Sequence, residues 1–471
     1  MVMKTRGHKI MNRDPHRRHC GRHRCIRAVR ASSTQQQEER RVIIIGGGIA
    51  GLSTAVALAS QSPRRFDAIT VLERRTAEAS SRGAALSLWS NGWRVLDALH
   101  VGEELRSATQ LLDTVELLKS DGSKLTRFTM DEAASSNSAV DVEVRGCRRG
   151  AVSEALLRAL DRYQGVCVEY EASVDAVRGK RSRYEDNDNA STAERTCQCE
   201  VVMSDGTLRE AELVVIADGA RSSVSEKLGV TRPGYCGYAA IRGVAKLEDD
   251  RAEKERGEEE KAKAAMDRFR SIGGTIRQYF GSGTRFGMYP LSETEIYWFV
   301  CFNAKEGERI RDVQGVRERA MRAVRAELGW EEAVRECVRR TSDDDLSPYT
   351  EIVDNWRPQL GGQVPRVAFV GDANHAMSPN LGQGGCCALE DAWELAKAMA
   401  IDSNTTPRIE DAIVRYHRRR ALRCTPLTVR AGLMGLALQI DNPIITMLRD
   451  SIIVPKVFSP NRFLNHTVWE L

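Results

Sequence analysis

The sequence predicts an α/β chain in which a doubly wound parallel sheet of the Rossmann type is interleaved with a smaller antiparallel-sheet domain and followed by a helical tail. Three observations carry that prediction. In residues 41–60, RVIIIGGGIAGLSTAVALAS, the apolar run Val42 to Ile45 enters a glycine cluster and leaves it at helical spacing through Leu52, Ala55, Val56, Leu58 and Ala59. DAITVLERR then forms a second strand ending at Glu73, which completes a βαβ unit. From about Tyr235 the pattern changes to short aromatic and β-branched runs, YAAIRGVAKL, TIRQYFG, RFGMYPL and EIYWFVCFN, as an antiparallel sheet requires.

Ahead of these elements, residues 1–31 carry ten Lys and Arg against the single Asp14 and hold no apolar stretch long enough for a secretory signal. They read as a transit peptide, processed near VRASS, for a chloroplast or alternatively a mitochondrion. Four of the eight histidines lie there with Cys20 and Cys25, and a disordered basic leader explains them better than a metal site. The formal charge of +5 comes from this arm. The remaining body is near neutral or slightly acidic, so the sequence offers no nucleic-acid surface.

Residues 41–234 make the first part of the nucleotide-binding domain. NGWRVLDALHVGEEL and GAVSEALLRALDRY have helical spacing, KRSRYEDNDNASTAERT is polar enough only for a loop, and AELVVIADGA is a short buried strand. Residues 235–345 form the sheet domain with a charged insertion at 248–270, read as solvated. Residues 346–425 return to the first domain through RVAFVGDANHAMSPNLGQGGCCALEDAWELAKAMA. The tail 426–471 is apolar but interrupted by Arg430, Asp441, Pro443, Arg449 and Asp450, and its longest uncharged run, AGLMGLALQI, is too short to span a bilayer. Packing helices are expected there, with peripheral membrane contact as the alternative. The twelve cysteines show no CxxC spacing, and the close pairs Cys197/Cys199 and Cys386/Cys387 read as structural thiols.

The glycines at the strand-to-helix corner have separate tasks. Gly46 permits the tight turn, Gly48 lets the backbone approach a pyrophosphate, and Gly51 lets the helix pack close to the sheet. The helix N-terminus offers free N–H groups and the positive end of its dipole. Glu73, placed to accept from the adenosine ribose hydroxyls, disfavours a 2′-phosphate on the resident nucleotide. Asp218-Gly219 and Gly371-Asp372 each follow an apolar strand, where such a sheet binds its ligand.

These three motifs, in this order and spacing from Arg41 to Arg420, resemble the fingerprints of the class A, para-hydroxybenzoate hydroxylase-like FAD-dependent monooxygenases. GAALSLWSNGWRVLDALHVGEEL, GYAAIRGVAKL and RFGMYPL look like the plant monooxygenase and zeaxanthin epoxidase-like branch, which shares features with FAD-dependent urate and salicylate hydroxylases. The resemblance implies that Gly46, Gly48, Gly51, Glu73 and Arg74 hold the ADP half of FAD and that Val174 packs near the adenine. It gives Arg149, with Arg148 as the competing neighbour, a place on the flavin side. Asp218 and Gly219 would serve FAD and the passing nicotinamide cofactor, and Asp372 the ribityl chain or pyrophosphate. Gly382, Gln383, Gly384 and Gly385 would lay N–H groups against the isoalloxazine.

The chemistry implied is the cofactor's own, with no catalytic side chain and no metal assigned. NAD(P)H reduces FAD, and O₂ is captured as a flavin C4a-hydroperoxide that hydroxylates or epoxidises a small aromatic or cyclic apolar substrate. Arg242, Arg285, Tyr289, Pro379 and Gln383 are the substrate-side candidates. Arg285 either pairs with an anionic substrate group or is a sheet-edge arginine; His375 is a conceivable base but reads better as structural. A carotenoid epoxidase and a non-catalytic flavin-binding scaffold are the alternative readings, whereas the missing CxxC argues against a flavin disulfide reductase. Oligomeric state is not legible.

Overall fold

The computed structural model describes residues 39–471, apart from 64, 82, 135–141, 181–197, 248–271, 326–331, 356–357, 359–363, 402–405, 458 and 461–463. The basic leader, most of the polar loop after Lys180 and the charged insertion lie outside the described residues. Five parallel strands form the nucleotide sheet in the order Val367–Phe369, Leu213–Ile216, Arg41–Ile45, Ala68–Glu73, Val166–Tyr170. Alternation along the central strand assigns its two faces. Val42 and Ile44 join the core beneath the helices, while Ile43 and Ile45 join a second core on the opposite side.

On the first face lie the helices Ile49–Gln61, Arg149–Leu160 and Gly384–Met399, and the helix Ile409–Leu438 packs over the last of these. On the second face lies a three-stranded antiparallel sheet, Val174–Lys180, Gln198–Met203 and Leu208–Ala211. This is the α/β class expected, with the interleaved antiparallel sheet and C-terminal helix in place.

The larger sheet has eight strands in the order Thr341–Leu346, Gly234–Lys246, Glu295–Asn303, Thr284–Pro290, Thr275–Phe280, Thr114–Lys119 and Lys124–Thr129, with Thr350–Asp354 also paired to Gly234–Lys246. Two of its strands thus come from residues 114–129, well before Tyr235. Cross-strand register settles which side chains share a face. Tyr289 pairs with Tyr297, Arg285 with Cys301, and Arg242 with Phe299, so these six project on one side. The other side, with Phe286, Met288, Trp298 and Val300, is sealed by the helices Val313–Arg325 and Glu332–Arg339.

The tail does not begin where the sequence pattern changes. Ile409–Leu438 is one helix of 30 residues that runs through Pro426, because its buried residues, among them Tyr416, Cys424, Leu427 and Ala431, keep one inward face on both sides of the proline.

Candidate active site

The glycine turn is fixed by contact distances that leave no room for side chains. Gly46 has φ 112°, and a Cβ there would lie 2.4 Å from the Ala217 carbonyl oxygen; a Cβ on Gly51 would lie 1.9 Å from the Gly46 oxygen. At Gly48 the nearest atom is Arg149 Nη2 at 3.4 Å, so this face of the turn opens toward Arg149. Gly48 caps the helix Ile49–Gln61 without any side-chain hydrogen bond, which leaves its first N–H groups for a ligand.

Glu73 closes the turn from below. Its Oε2 accepts from Gly47 N–H at 2.9 Å, and its Oε1 accepts from the Arg75 backbone N–H at 2.9 Å and Arg75 Nε at 3.0 Å. Burial pushes the carboxyl up, but the Arg75 and Gly47 hydrogen bonds outweigh it and hold the group below the usual range. A carboxylate has about four acceptor positions, so one remains for a ribose hydroxyl. Arg75, which sequence reasoning missed in favour of Arg74, is the residue bound to Glu73. Arg74 is exposed and acts electrostatically on Asp218.

Arg148 and Arg149 part company. Arg148 donates to Glu295 at 2.7 and 2.8 Å and to Asp345 at 2.7 Å, which commits it to holding the large sheet. The Arg149 side chain reaches the glycine turn instead and makes no hydrogen bond or ion pair among the described residues, while its backbone N–H donates to the Ala84 carbonyl at 3.1 Å. It is solvent-accessible, yet protein encloses it closely enough for burial, and then Arg75, to push its pKa down. Asp372 shows the same combination, exposed but pushed up by burial, with His375 and Arg149 opposing. Both therefore line an enclosed cleft rather than the outer surface.

Asp218 stands across this cleft with Gly219 at φ 89°. Its Oδ1 is buried without a partner among the described residues, and burial pushes its pKa up against Ser222 and Arg74. Val174 is half-buried against the core that contains Leu72 and Ile45. At the far end, Gly382 sits at φ 64°, where a Cβ would collide with Trp89 Nε1 at 2.8 Å, and the helix Gly384–Met399 starts with no side-chain cap and no acid in its first turn. Two uncapped helix N-termini, a cationic side chain and an orphaned carboxylate oxygen fit a large phosphate-bearing nucleotide, and with it FAD.

Gln383 departs from its expected substrate role. Its side chain is fully buried, and its Oε1 accepts from Asn91 Nδ2 at 2.8 Å, while the same Nδ2 donates to Glu390 at 2.7 Å. Only the backbone of Gln383 can serve the cleft. His375 also turns inward, with Nε2 2.6 Å from Asp391 Oδ2, which removes it as a base for substrate. It belongs to a buried charged network under the Gly384 helix. Arg420 pairs with Asp391 at 2.5 Å and Glu390 at 2.8 Å, and Arg423 pairs with Glu390 at 2.9 Å. Burial opposes ionisation of Cys424, but the Cys387 thiol, Arg420 and His375 pull its pKa down to about 5. Three cationic side chains, Arg420, Arg423 and His375, thus face the carboxylates of Glu390 and Asp391 and the Cys424 thiol. Sequence reading had only polar helix positions to go on here.

The aromatic face of the large sheet forms the opposite wall. Arg285 lies on a central strand, which corrects the sheet-edge reading. It is 2% exposed, its Nη2 donates to Asn380 Oδ1 at 2.7 Å, and its guanidinium lies 5.6 Å from the Phe299 ring. Asn380 Nδ2 lies 3.1 Å from the Tyr238 hydroxyl and 2.8 Å from the Ala431 carbonyl, so one amide ties the loop that begins at the exposed Pro379 to the sheet and to the long helix. Arg242 is half-buried within electrostatic reach of Arg149, Tyr289 and Tyr297. Burial pushes the Tyr297 phenol up to about 12, with Arg242 opposing, and raises Tyr289 as well, so both stay neutral. Neither arginine has a carboxylate partner among the described residues. Tyr297 was missed in the sequence, although strand alternation across the 289–297 hairpin would have found it.

Comparison with known proteins supports the family, the fold and FAD as the cofactor. A family model described as an FAD binding domain matches residues 39–431. Monooxygenase 2 of Arabidopsis thaliana is 25% identical over 427 residues, covering 86% of this chain and 91% of that protein. The FAD-dependent urate hydroxylase of Mycolicibacterium vanbaalenii is 28% identical over 390 residues, covering 82% and 85%. The crystal structure of Klebsiella pneumoniae HpxO with FAD and uric acid superposes with a TM-score of 0.68 at 22% identity, covering 91% of this chain and 95% of that one. The chain belongs to the FAD-binding-domain family of FAD-dependent monooxygenases.

Proposed function

From membership of this flavoprotein family, we propose that the chain is an NAD(P)H-dependent monooxygenase that transfers one atom of O₂ to a small aromatic or cyclic apolar substrate bearing an anionic edge. The observation that carries the reading is the aromatic sheet face with two guanidinium groups, Arg242 and Arg285, that lack carboxylate partners among the described residues. FAD, when bound, accepts a hydride from NAD(P)H and activates O₂, so that one oxygen atom goes to the substrate and the other leaves as water.

The side chains of this protein position and shield. Arg149, Asp372 and the N–H groups at Gly48 and Gly384 hold the cofactor, and the Gly384 helix N-terminus favours negative charge beside it. Arg242, the half-buried of the two, holds a phenolate, carboxylate or urate-like anion, with the buried Arg285 adding positive potential behind the same face, while Phe299 and Tyr297 cover the ring. The buried Tyr289 packs on the strand Val144–Arg148, where a Cβ at Gly146 would meet its ring at 2.7 Å.

The test is to purify the full chain, record its visible spectrum and follow NADPH and NADH oxidation under air with phenols, salicylate, urate and carotenoids. A flavin spectrum, with one compound that speeds oxidation and gains one oxygen, is the expected result. A colourless protein that FAD cannot reconstitute would overturn the reading. A yellow protein indifferent to every compound would favour the scaffold alternative.

A further inference from the structure

In the C-terminal segment a charged side chain, Arg449, is buried while a run of large apolar ones is exposed. In the helix Pro443–Leu448 and the turn Arg449–Val457, Arg449 is 4% exposed. It pairs with Asp450 at 2.7 Å, donates to the Gly281 carbonyl at 3.1 Å and lies 5.5 Å from the Phe280 ring. Ile444, Ile445, Met447, Leu448, Ile452 and Ile453 face outward, Ile444 at 67% exposure. In water alone this arrangement is backwards, since large apolar side chains gain most from burial.

The helix Ile409–Leu438 also exposes large apolar side chains. Leu422, Leu433 and Leu436 are exposed at spacings that form one stripe, and Arg415 and Arg418 stand on the same stripe toward its N-terminal end. Neither arginine has an ion pair among the described residues, and the only charges between Pro443 and Val454, Arg449 and Asp450, neutralise one another.

We propose that this surface docks on an anionic lipid bilayer, with the apolar strip in the headgroup–acyl boundary and Arg415 and Arg418 on lipid phosphates. A strip without exposed charge next to unpaired arginines complements that interface. A second copy of the chain would offer the two arginines a single carboxylate from the stripe, Asp411, so two such faces stay net cationic and match each other poorly. No single described helix is long and apolar enough to cross a membrane, and the two tail helices meet at 111°, a bend that suits lying in one leaflet.

The experiment is co-sedimentation of the full chain with vesicles of phosphatidylcholine alone or with about one quarter phosphatidylglycerol, at about 0.05 and 0.5 M salt. Binding to the anionic vesicles is expected. Ile444→Asp with Ile453→Asp should lower it more than about tenfold at both salts, and Arg415→Gln with Arg418→Gln should lower it only at low salt. All four positions are exposed and remote from the cleft, so flavin content and Tm should not change, and the outcome is independent of the proposed reaction. No binding to either vesicle would overturn the proposal, as would binding indifferent to the Asp pair. A dimer in buffer that the Asp pair dissociates would also overturn it, in favour of a second copy.

Discussion

Two helix N-termini meet the cleft, and they are built in different ways. The helix Ile49–Gln61 is positioned by backbone contact: glycines at 46 and 51 leave no space for a Cβ, and Glu73 ties Gly47 from below. The helix Gly384–Met399 is positioned by charge, through Asn91, Glu390 and Asp391 to Arg420, Arg423 and His375. The same anion-binding end can therefore rest on steric exclusion or on a buried ionic network. Steric exclusion fails abruptly under substitution, whereas a balanced network fails in proportion to the charge it loses.

The largest effect should come from Gly51→Val, whose Cβ would press on the Gly46 oxygen from 1.9 Å. We expect more than about 4 kcal/mol of lost stability and no soluble flavoprotein. Gly48→Ala, with 3.4 Å to the mobile end of Arg149, should stay folded, and flavin content with urea unfolding separates the two. Next, Arg420→Met should cost about 3–5 kcal/mol in urea unfolding, because it leaves the buried Glu390 and Asp391 with one cation fewer, only Arg423 and His375; adding Asp391→Leu to it should recover part of the loss. If Arg420→Met is silent, the second helix end does not depend on charge.

Arg149→Met should weaken FAD by about ten- to a hundredfold in a fluorescence titration while leaving the apoprotein Tm unchanged. Arg148→Met should do the reverse, with lower Tm and unchanged FAD affinity, since its partners are Glu295 and Asp345.

The smallest effect is a pH slope. Burial disfavours the charged imidazolium, but Asp391 and Cys424 overcome it and raise the His375 pKa well above its ordinary value. A raised pKa gives stability that is full below about pH 6.5 and is lost as pH rises through the folded value. Relative to His375→Asn, the native chain should therefore lose up to about 1.4 kcal/mol per pH unit on the alkaline side. Asp391, held low by His375 and Arg420 against burial, works oppositely and loses its contribution only in acid.

The steric end of this comparison was legible in the sequence, because G-x-G-x-x-G records backbone geometry directly in residue type. The parallel βαβ start and the aromatic strands were legible for the same reason: period and residue shape act locally. The charged end was not. Arg420 and Arg423 look like surface residues on a polar helix, and only packing against Glu390 and Asp391, some 30 residues away, reveals their burial. Arg148 and Arg149 are chemically identical in sequence and are separated by the strand-to-helix corner between Val144–Arg148 and Arg149–Leu160, which points one at the sheet and the other at the glycine turn. The outward tail was visible as apolar composition, but the inward direction of Arg449 needed the fold.

Asn380 has a consequence beyond static support. Its side-chain amide joins the Pro379–Leu381 turn to the Ala431 carbonyl on the long helix and to Arg285 on the sheet. Three segments far apart in the chain thus share one hydrogen-bonded group, and none can open alone without leaving a buried polar atom unsatisfied. In amide hydrogen exchange the N–H groups of Leu381 to Gln383 and those around Ala431 should open as one cooperative unit. Asn380→Leu should uncouple them, so that the loop exchanges at its own faster rate while the helix keeps its protection.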